Sequence, residues 1–300
     1  MLLKKFFCAC VTLSVLFALC LGVGVRPGPS FAGAASFNLK NAVTVVSRED
    51  GSGTRGAFIE LLGVEVKGAD GARKDMTTKE AVIANKTDVV LTAVAGDPHA
   101  IGYVSMGSLN ESVKALAIDG IAATTANVKN GTYPVARPFV VAVKKGGTLS
   151  PVAADFMAFL RSKEGQDVVS KSYIAVDAEA RAFSGTRPAG KVTVAGSSSV
   201  TPVMEKLKEA YLQRNPNAEI EVQMSDSTAG MTAAMNGVCE IGMASRALKS
   251  SEAEKLDGVE IALDGIAVIV NTANPISDMT REAIRGIFTG ECPTWEEADA

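Results

Sequence analysis

Three segments of the chain are dense in hydroxyl groups and glycine at places where a strand gives way to a helix. The first is SREDGSGTR, Ser47 to Arg55, between the apolar run AVTVV and the helical pattern GAFIELL. Ser52, Gly53 and Thr54 open that helix, where unpaired N–H groups and the helix dipole favour an anion. Glycine lets the backbone approach a ligand closely, and hydroxyls add donors without adding charge. Arg48 and Arg55 bring planar, permanently charged forks suited to an oxyanion. The second segment is AGSSSVTP, Ala195 to Pro202, with Ser198 and Ser199 at the start of another helix; the third is MSDSTAG, Met224 to Gly230, with Ser227 in the same position. Taken alone, the first is commoner as plain turn chemistry, and the second and third read about as well as ordinary serine N-caps. Three in one chain point to convergence on a single anion.

Other chemistries find little support. The P-loop pattern G-x-x-x-x-G-K-[ST] and the serine-hydrolase elbow G-x-S-x-G are missing. His99 is the single histidine, in the turn DPHAIGY, which makes a Ser-His-Asp triad doubtful and leaves no His/Cys metal cluster. No metal or cofactor is expected, and catalysis is the weaker class. Four tyrosines and the single Trp295 make no aromatic platform for sugars or bases.

The elements that must position these segments alternate. Strand-like runs are read at 43–46, 100–104, 139–143, 192–195, 219–222 and 266–270. Helix-like runs are read at 54–62, 152–161, 202–214, 229–236 and 280–288. Such alternation indicates an α/β architecture. Hydrophobic residues make up 47% of the 300 residues and charged residues 21%, as in a globular protein with a real core. Residues 1–34 differ: a basic start, an uncharged apolar run from Phe6 to Val25, then Ala32-Gly33-Ala34 as a cleavage site. This reads as a secretory signal peptide, with a retained anchor or lipidation at Cys20 as alternatives. Without those residues the chain carries 27 basic and 33 acidic residues, net about −6, which argues against nucleic-acid binding. Cys239 and Cys292 are then the remaining cysteines, too few for a disulfide scaffold.

Together, SREDGSGTR, AVAGDPHAIGYVSMGSL, VKNGTYPVARPF, GSSSVTP, EIGMASRALK and ALDGIAVIVN resemble the phosphate-binding proteins of ABC phosphate importers, over nearly all of the chain beyond the leader. The resemblance implies an exported or membrane-anchored, extracytoplasmic protein with a type II periplasmic-binding-protein-like clamshell of two α/β lobes. It implies inorganic phosphate as ligand and membrane ABC permease subunits as partners. A surface anion sensor without transport, or less readily a phosphate-ester hydrolase, is the alternative. It assigns the phosphate site to Arg48, Ser52, Gly53, Thr54, Ser198, Ser199 and Ser227, with Asp50 holding Arg48. Where some members place an aspartate that accepts the phosphate proton, this chain has Arg246, which pairs either with the anion or with a carboxylate such as Asp264.

The order of segments departs from the family pattern, in which the GSSSVTP block comes first. The order is that of a circular permutation, with residues 178–190 as the linker joining the old ends. One lobe then combines 133–180 with 191–263, and the other combines 38–132 with 264–300. A domain-swapped dimer or a tandem fragment is the alternative.

Overall fold

A computed structural model describes residues 37–68 and 72–298, and residues 37–300 form one compact unit. The signal peptide, anchor and Cys20 readings fall on residues outside the described ones. Among the described residues no helix is long and apolar enough to cross a membrane.

The frame is a nine-stranded mixed sheet. In chain order its strands are β1 (Thr44–Arg48), β2 (Val82–Ala84), β3 (Ala100–Ser105), β4 (Val113–Ala115), β5 (Ala136–Lys144), β6 (Gly190–Ser197), β7 (Ala218–Ser225), β8 (Ile241–Ala244) and β9 (Leu256–Asn271). Their spatial order is β7-β6-β8-β5-β9-β3-β1-β2, with β4 also paired to β9. The β7–β6–β8 pairings are parallel, as are β3–β1–β2; β5 and β9 run antiparallel to their neighbours.

β9 is the spine. From Leu256 to Gly265 it pairs with β5, and from Ile266 to Asn271 it pairs with β3 and β4. Its first half shares an apolar core with Phe139, Phe156, Phe159, Leu207 and Tyr211 through Ile261 and Ala262. Its second half shares another with Phe58, Tyr103, Phe288 and Trp295 through Ile266, Val268 and Val270. A single strand therefore belongs to two cores. These are the two lobes of an α/β clamshell, and the chain passes between them through the extended backbone of β9.

Helices cover the sheet: α1 (Gly53–Leu61), α2 (Thr87–Gly96), α3 (Pro151–Arg161), α4 (Lys163–Val169), α5 (Thr201–Leu212), α6 (Ser227–Met235) and α7 (Arg281–Thr289). The strands and helices expected from periodicity all form, with ends shifted by a few residues except at 266–270, where the strand begins ten residues earlier at Leu256. Three elements that matter were not anticipated. The half of β9 from Leu256 to Gly265 is interrupted by Asp257, Gly258, Asp264 and Gly265, which masks its alternation. β8 is four residues long, and α2 begins at Lys-Thr-Asp without a side-chain cap.

Close approach fixes where α6 starts. A Cβ on Gly230 would lie 2.6 Å from Ala195 O and 3.1 Å from Met243 O, so only glycine lets this helix settle onto β6 and β8. Alanine is normally the better helix former by roughly 0.5–1 kcal/mol. Gly230→Ala is nonetheless expected to destabilise the fold by about 1–3 kcal/mol through overpacking, measured by urea unfolding.

Candidate anion cleft

Four strand-to-helix junctions meet where the lobes face each other. β1 leads into α1, β2 into α2, β6 into α5 and β7 into α6. The first two belong to one lobe and the last two to the other, and their hydroxyls touch across the gap. Thr54 Oγ1 lies 2.8 Å from Ser199 Oγ, and Thr87 Oγ1 lies 3.3 Å from both Ser198 Oγ and Ser199 Oγ. Thr228 donates to the Gly51 carbonyl through its backbone N–H and its hydroxyl, each at 3.2 Å. Below them, Ser245 Oγ sits 3.0 Å from Ser197 Oγ and 3.4 Å from Ser227 Oγ, and the Ser245 N–H donates to Ser227 Oγ at 3.1 Å. These serines are essentially inaccessible to solvent.

Local structure explains each placement. Ser52 caps α1 by accepting the Arg55 N–H at 3.3 Å, and Asp226 caps α6 by accepting from Ala229 at 2.8 Å. α2 and α5 receive no side-chain cap, so their first N–H groups remain available to a ligand. A Cβ on Gly53 would overlap Ser227 Oγ and lie 2.8 Å from Ser245 Oγ. Glycine at this position brings the start of α1 against the opposite lobe.

Arg48 lies at the centre and is 2% exposed. Its Nε and Nη2 each donate to the Glu49 carboxylate at 2.7 Å, while Nη2 also reaches Ser198 Oγ at 3.1 Å and Nη1 reaches Thr87 Oγ1 at 3.4 Å. Its backbone is fixed from the core. The Arg48 N–H donates to Tyr103 Oη at 3.1 Å; that phenol also meets Ser47 Oγ at 2.8 Å and stacks on Phe58 with ring centres 3.9 Å apart. Burial pushes the Tyr103 phenol up to about 12, so it stays a neutral hydrogen-bonding post.

Arg48, Ser52, Gly53, Thr54, Ser198, Ser199 and Ser227, expected from the sequence, thus come together. Two other expectations are corrected, and Arg246, left open between anion and carboxylate, pairs with a carboxylate. Asp50 does not hold Arg48: it is exposed and pairs with Arg55 at 2.8 Å, because the adjacent Glu49 has the length to wrap around the guanidinium. Arg55 does not offer its fork to a ligand. It is taken up by Asp50, by Asp75 at 2.8 Å and by the Arg48 carbonyl at 2.7 Å, and so braces the loop from outside. Arg246 pairs with Glu252 through two bonds of 2.7 Å rather than with Asp264. Burial raises the Glu252 carboxyl, but the bonds from Arg246 and the Lys249 N–H outweigh it and hold that group below the usual range.

Sequence reasoning passed over Glu49, Thr87, Ser197, Thr228 and Ser245. Thr87 carried a signal, since VIANKTDVV is a fourth strand-to-helix junction. Ser197 and Ser245 are the last strand-side residues of segments already singled out. His99 is elsewhere, its Nε2 2.8 Å from Asn41 Nδ2. Cys239 and Cys292 are both free. Among the described residues no group of three or more His, Cys, Asp or Glu comes together in a way that would hold a metal ion.

The arrangement presents hydroxyls and backbone N–H groups from two lobes around one guanidinium whose charge is balanced by its own neighbour. It can replace the water around a small anion with fixed donors. Gly53→Ala should leave the fold intact and push the lobes apart, lowering anion affinity by about tenfold or more while shifting the scattering profile toward an open form.

Comparison with known proteins places the chain in a family. Residues 37–164 and 182–300 match the model of the PBP superfamily domain. The chain is 47% identical over 279 residues to the phosphate-binding protein PstS 2 of Streptococcus agalactiae serotype V, covering 92% of this chain and 94% of that one. It is 42% identical over 278 residues to the phosphate-binding protein PstS 2 of Streptococcus pneumoniae serotype 4, again over 92% and 94%. A crystal structure of a phosphate ABC transporter phosphate-binding protein from Streptococcus pneumoniae matches at 43% identity with a TM-score of 0.68, over 86% of this chain and all of that one. The chain therefore belongs to the PBP superfamily and, within it, to the family of these phosphate-binding proteins.

Proposed function

We propose that this protein is an exported solute-binding protein that captures inorganic phosphate between its lobes and delivers it to a membrane ABC permease. The observation that carries this reading is the set of cross-lobe contacts joining Arg48, Thr54 and Thr87 to Ser198 and Ser199. Those groups sit where a ligand would have to be gripped by both lobes at once. Arg48, Ser52, Gly53, Thr54, Ser198, Ser199 and Ser227 are the proposed phosphate contacts, and Thr87 and Ser245 are added to them. Glu49, Asp50, Arg55 and Arg246 act as supports. The relatives' names, all of phosphate-binding proteins, support the same ligand.

The mechanism is capture, not chemistry. In the open form, water solvates the hydroxyls and the helix-start N–H groups. Phosphate arriving on one lobe exchanges part of its hydration shell for those donors, and the second lobe swings in to complete the cage. The bend falls on the strands that cross between lobes, of which β9 is the longest, so closure costs little core packing. The signal-peptide reading of residues 1–34 and the relatives' names support the proposed extracytoplasmic location and permease partnership.

The chain order is proposed as a circular permutation whose lobes comprise 133–180 with 191–263 and 38–132 with 264–300. Of the proposed join, residues 178–190, all but Gly190, which opens β6, lie outside helix and strand. They are tied down where Thr186 N donates to Asp155 Oδ1 at 2.8 Å and Lys163 N donates to Arg181 O at 2.8 Å. One chain supplies hydroxyls from both sides of the cleft, so this account needs no swapped partner.

Calorimetric titration with phosphate checks the reading. Arg48→Ala combined with Ser52→Ala is expected to weaken binding at least ~100-fold, since charge-assisted hydrogen bonds contribute roughly 1.5–3 kcal/mol each. Unchanged affinity in that double variant would remove the site from where it is proposed.

A further inference from the structure

Three guanidinium–carboxylate pairs surround the cleft, each with at least one buried partner: Arg48–Glu49, Arg246–Glu252 and Arg137–Asp264. The first two are held by bonds of 2.7 Å. The third is looser, with Arg137 Nε and Nη2 at 3.3 and 3.1 Å from Asp264 Oδ2. It is also the most deeply placed, Arg137 being 2% and Asp264 1% exposed.

Its position in the sheet is unusual. Asp264 lies opposite Arg137 in the β5–β9 register, two residues before β9 takes β3 as its partner at Ile266 and Ser105. The two carboxylate oxygens are accordingly held from different sides. Oδ2 accepts from Arg137 on β5, and Oδ1 accepts from Ser105 Oγ at 2.9 Å at the end of β3. The remaining Arg137 nitrogen, Nη1, donates to the Ser245 carbonyl at 3.0 Å, and the Ser245 hydroxyl belongs to the cleft. A chain of direct contacts thus runs from the anion cleft to a buried carboxylate at the crossing between lobes.

We infer that Asp264 is the counter-charge this cleft gives up when an anion enters: it takes one proton from solvent, leaving Arg137 uncompensated beneath the anion, so that anion and proton bind together. The proton adds to a carboxylate oxygen of Asp264, and no other covalent bond of the protein forms or breaks. The inference rests on the phosphate reading above.

The surroundings of Asp264 agree. Burial, the largest influence, pushes its carboxyl up to about 6 against the lowering effects of Arg137 and Ser105 and of the Gly107 backbone N–H. The other groups facing it are the Tyr173 and Tyr133 phenols, both pushed upward by burial and by Asp264 itself. Arg48 lies close enough to act on Arg137. Glu252, by contrast, is held below the usual carboxylate range. An anion added near Arg137 raises the Asp264 carboxyl further, because like charges in a water-poor site repel strongly.

The test is calorimetric titration of the purified protein with inorganic phosphate, from pH 5 to 8, in two buffers of different ionisation enthalpy. This counts protons taken up per phosphate bound. At pH 7 the wild type is expected to take up about half a proton more than Asp264→Asn, which has no carboxyl to titrate. Asp264→Asn is expected to bind phosphate ~3-fold or more tightly at pH 8, with the difference vanishing near pH 5 where the wild-type carboxyl is already protonated. In Ser105→Ala the uptake maximum moves to higher pH, because the ionised carboxylate loses a donor; this variant decides the matter if Asp264→Asn does not fold. A purely positioning role for Asp264 predicts the opposite pattern, and equal proton counts, weaker binding by Asp264→Asn at every pH, or an unmoved maximum would each overturn the inference. Absence of phosphate binding by the wild type would instead bring down the phosphate reading and this inference with it.

Discussion

The bidentate bond between Arg48 and Glu49 is the interaction on which the cleft depends. A guanidinium buried to 2% exposure needs a partner before any ligand arrives, because an uncompensated charge out of water is among the costliest things a fold can contain. Glu49 supplies that partner from the neighbouring residue, with both bonds at 2.7 Å. Because the charge is already balanced, Arg48 can direct its remaining N–H groups at Ser198 and Thr87. The stack of Tyr103 on Phe58 then matters to binding as well as to stability, since it fixes the strand end from which Arg48 projects.

The same balance recurs around the cleft. Arg246 has Glu252, Arg137 has Asp264, and Arg55 has Asp50 and Asp75. What faces the centre is therefore mainly neutral: hydroxyls of Thr54, Thr87, Ser198, Ser199, Ser227 and Ser245, with the unpaired N–H groups of helix starts. Such donors grip an anion through many short-range bonds whose geometry both lobes must supply. Affinity is then tied to closure, which is what a protein that must later release its ligand to a partner requires. In the proposed closure each half of β9 stays in its own core, so the bend between them costs little packing.

The fold was legible in the sequence where apolar periodicity was clean, as in β3, β6, α3 and α5. It was hidden where charge or glycine broke the alternation, as in the first half of β9, whose Asp264 looks like a loop residue but lies buried against Arg137. The site was legible at the strand-to-helix junctions, since Ser, Thr and Gly there have a local physical meaning whatever the fold. Partnerships were not legible. Asp50 and Glu49 are adjacent and chemically alike, and only the direction in which each side chain leaves the loop decides that Glu49 holds Arg48 while Asp50 turns outward to Arg55. Arg246 was equally undetermined, because Glu252 becomes its partner through the turn that starts at Lys249.

The account's central claim is that each guanidinium around the cleft has its own carboxylate before an anion enters, so that the anion is gripped mainly by short-range bonds in a dry cleft. The most direct measurement is the phosphate dissociation constant as sodium chloride is raised from low millimolar to about 0.5 M, where the Debye length falls to roughly 4 Å. Affinity changing by less than about threefold is the predicted result, since short-range bonds in a closed cleft are poorly screened. A steep, continuous fall in affinity with salt would mean that net positive charge at the surface does the holding, and would contradict the account.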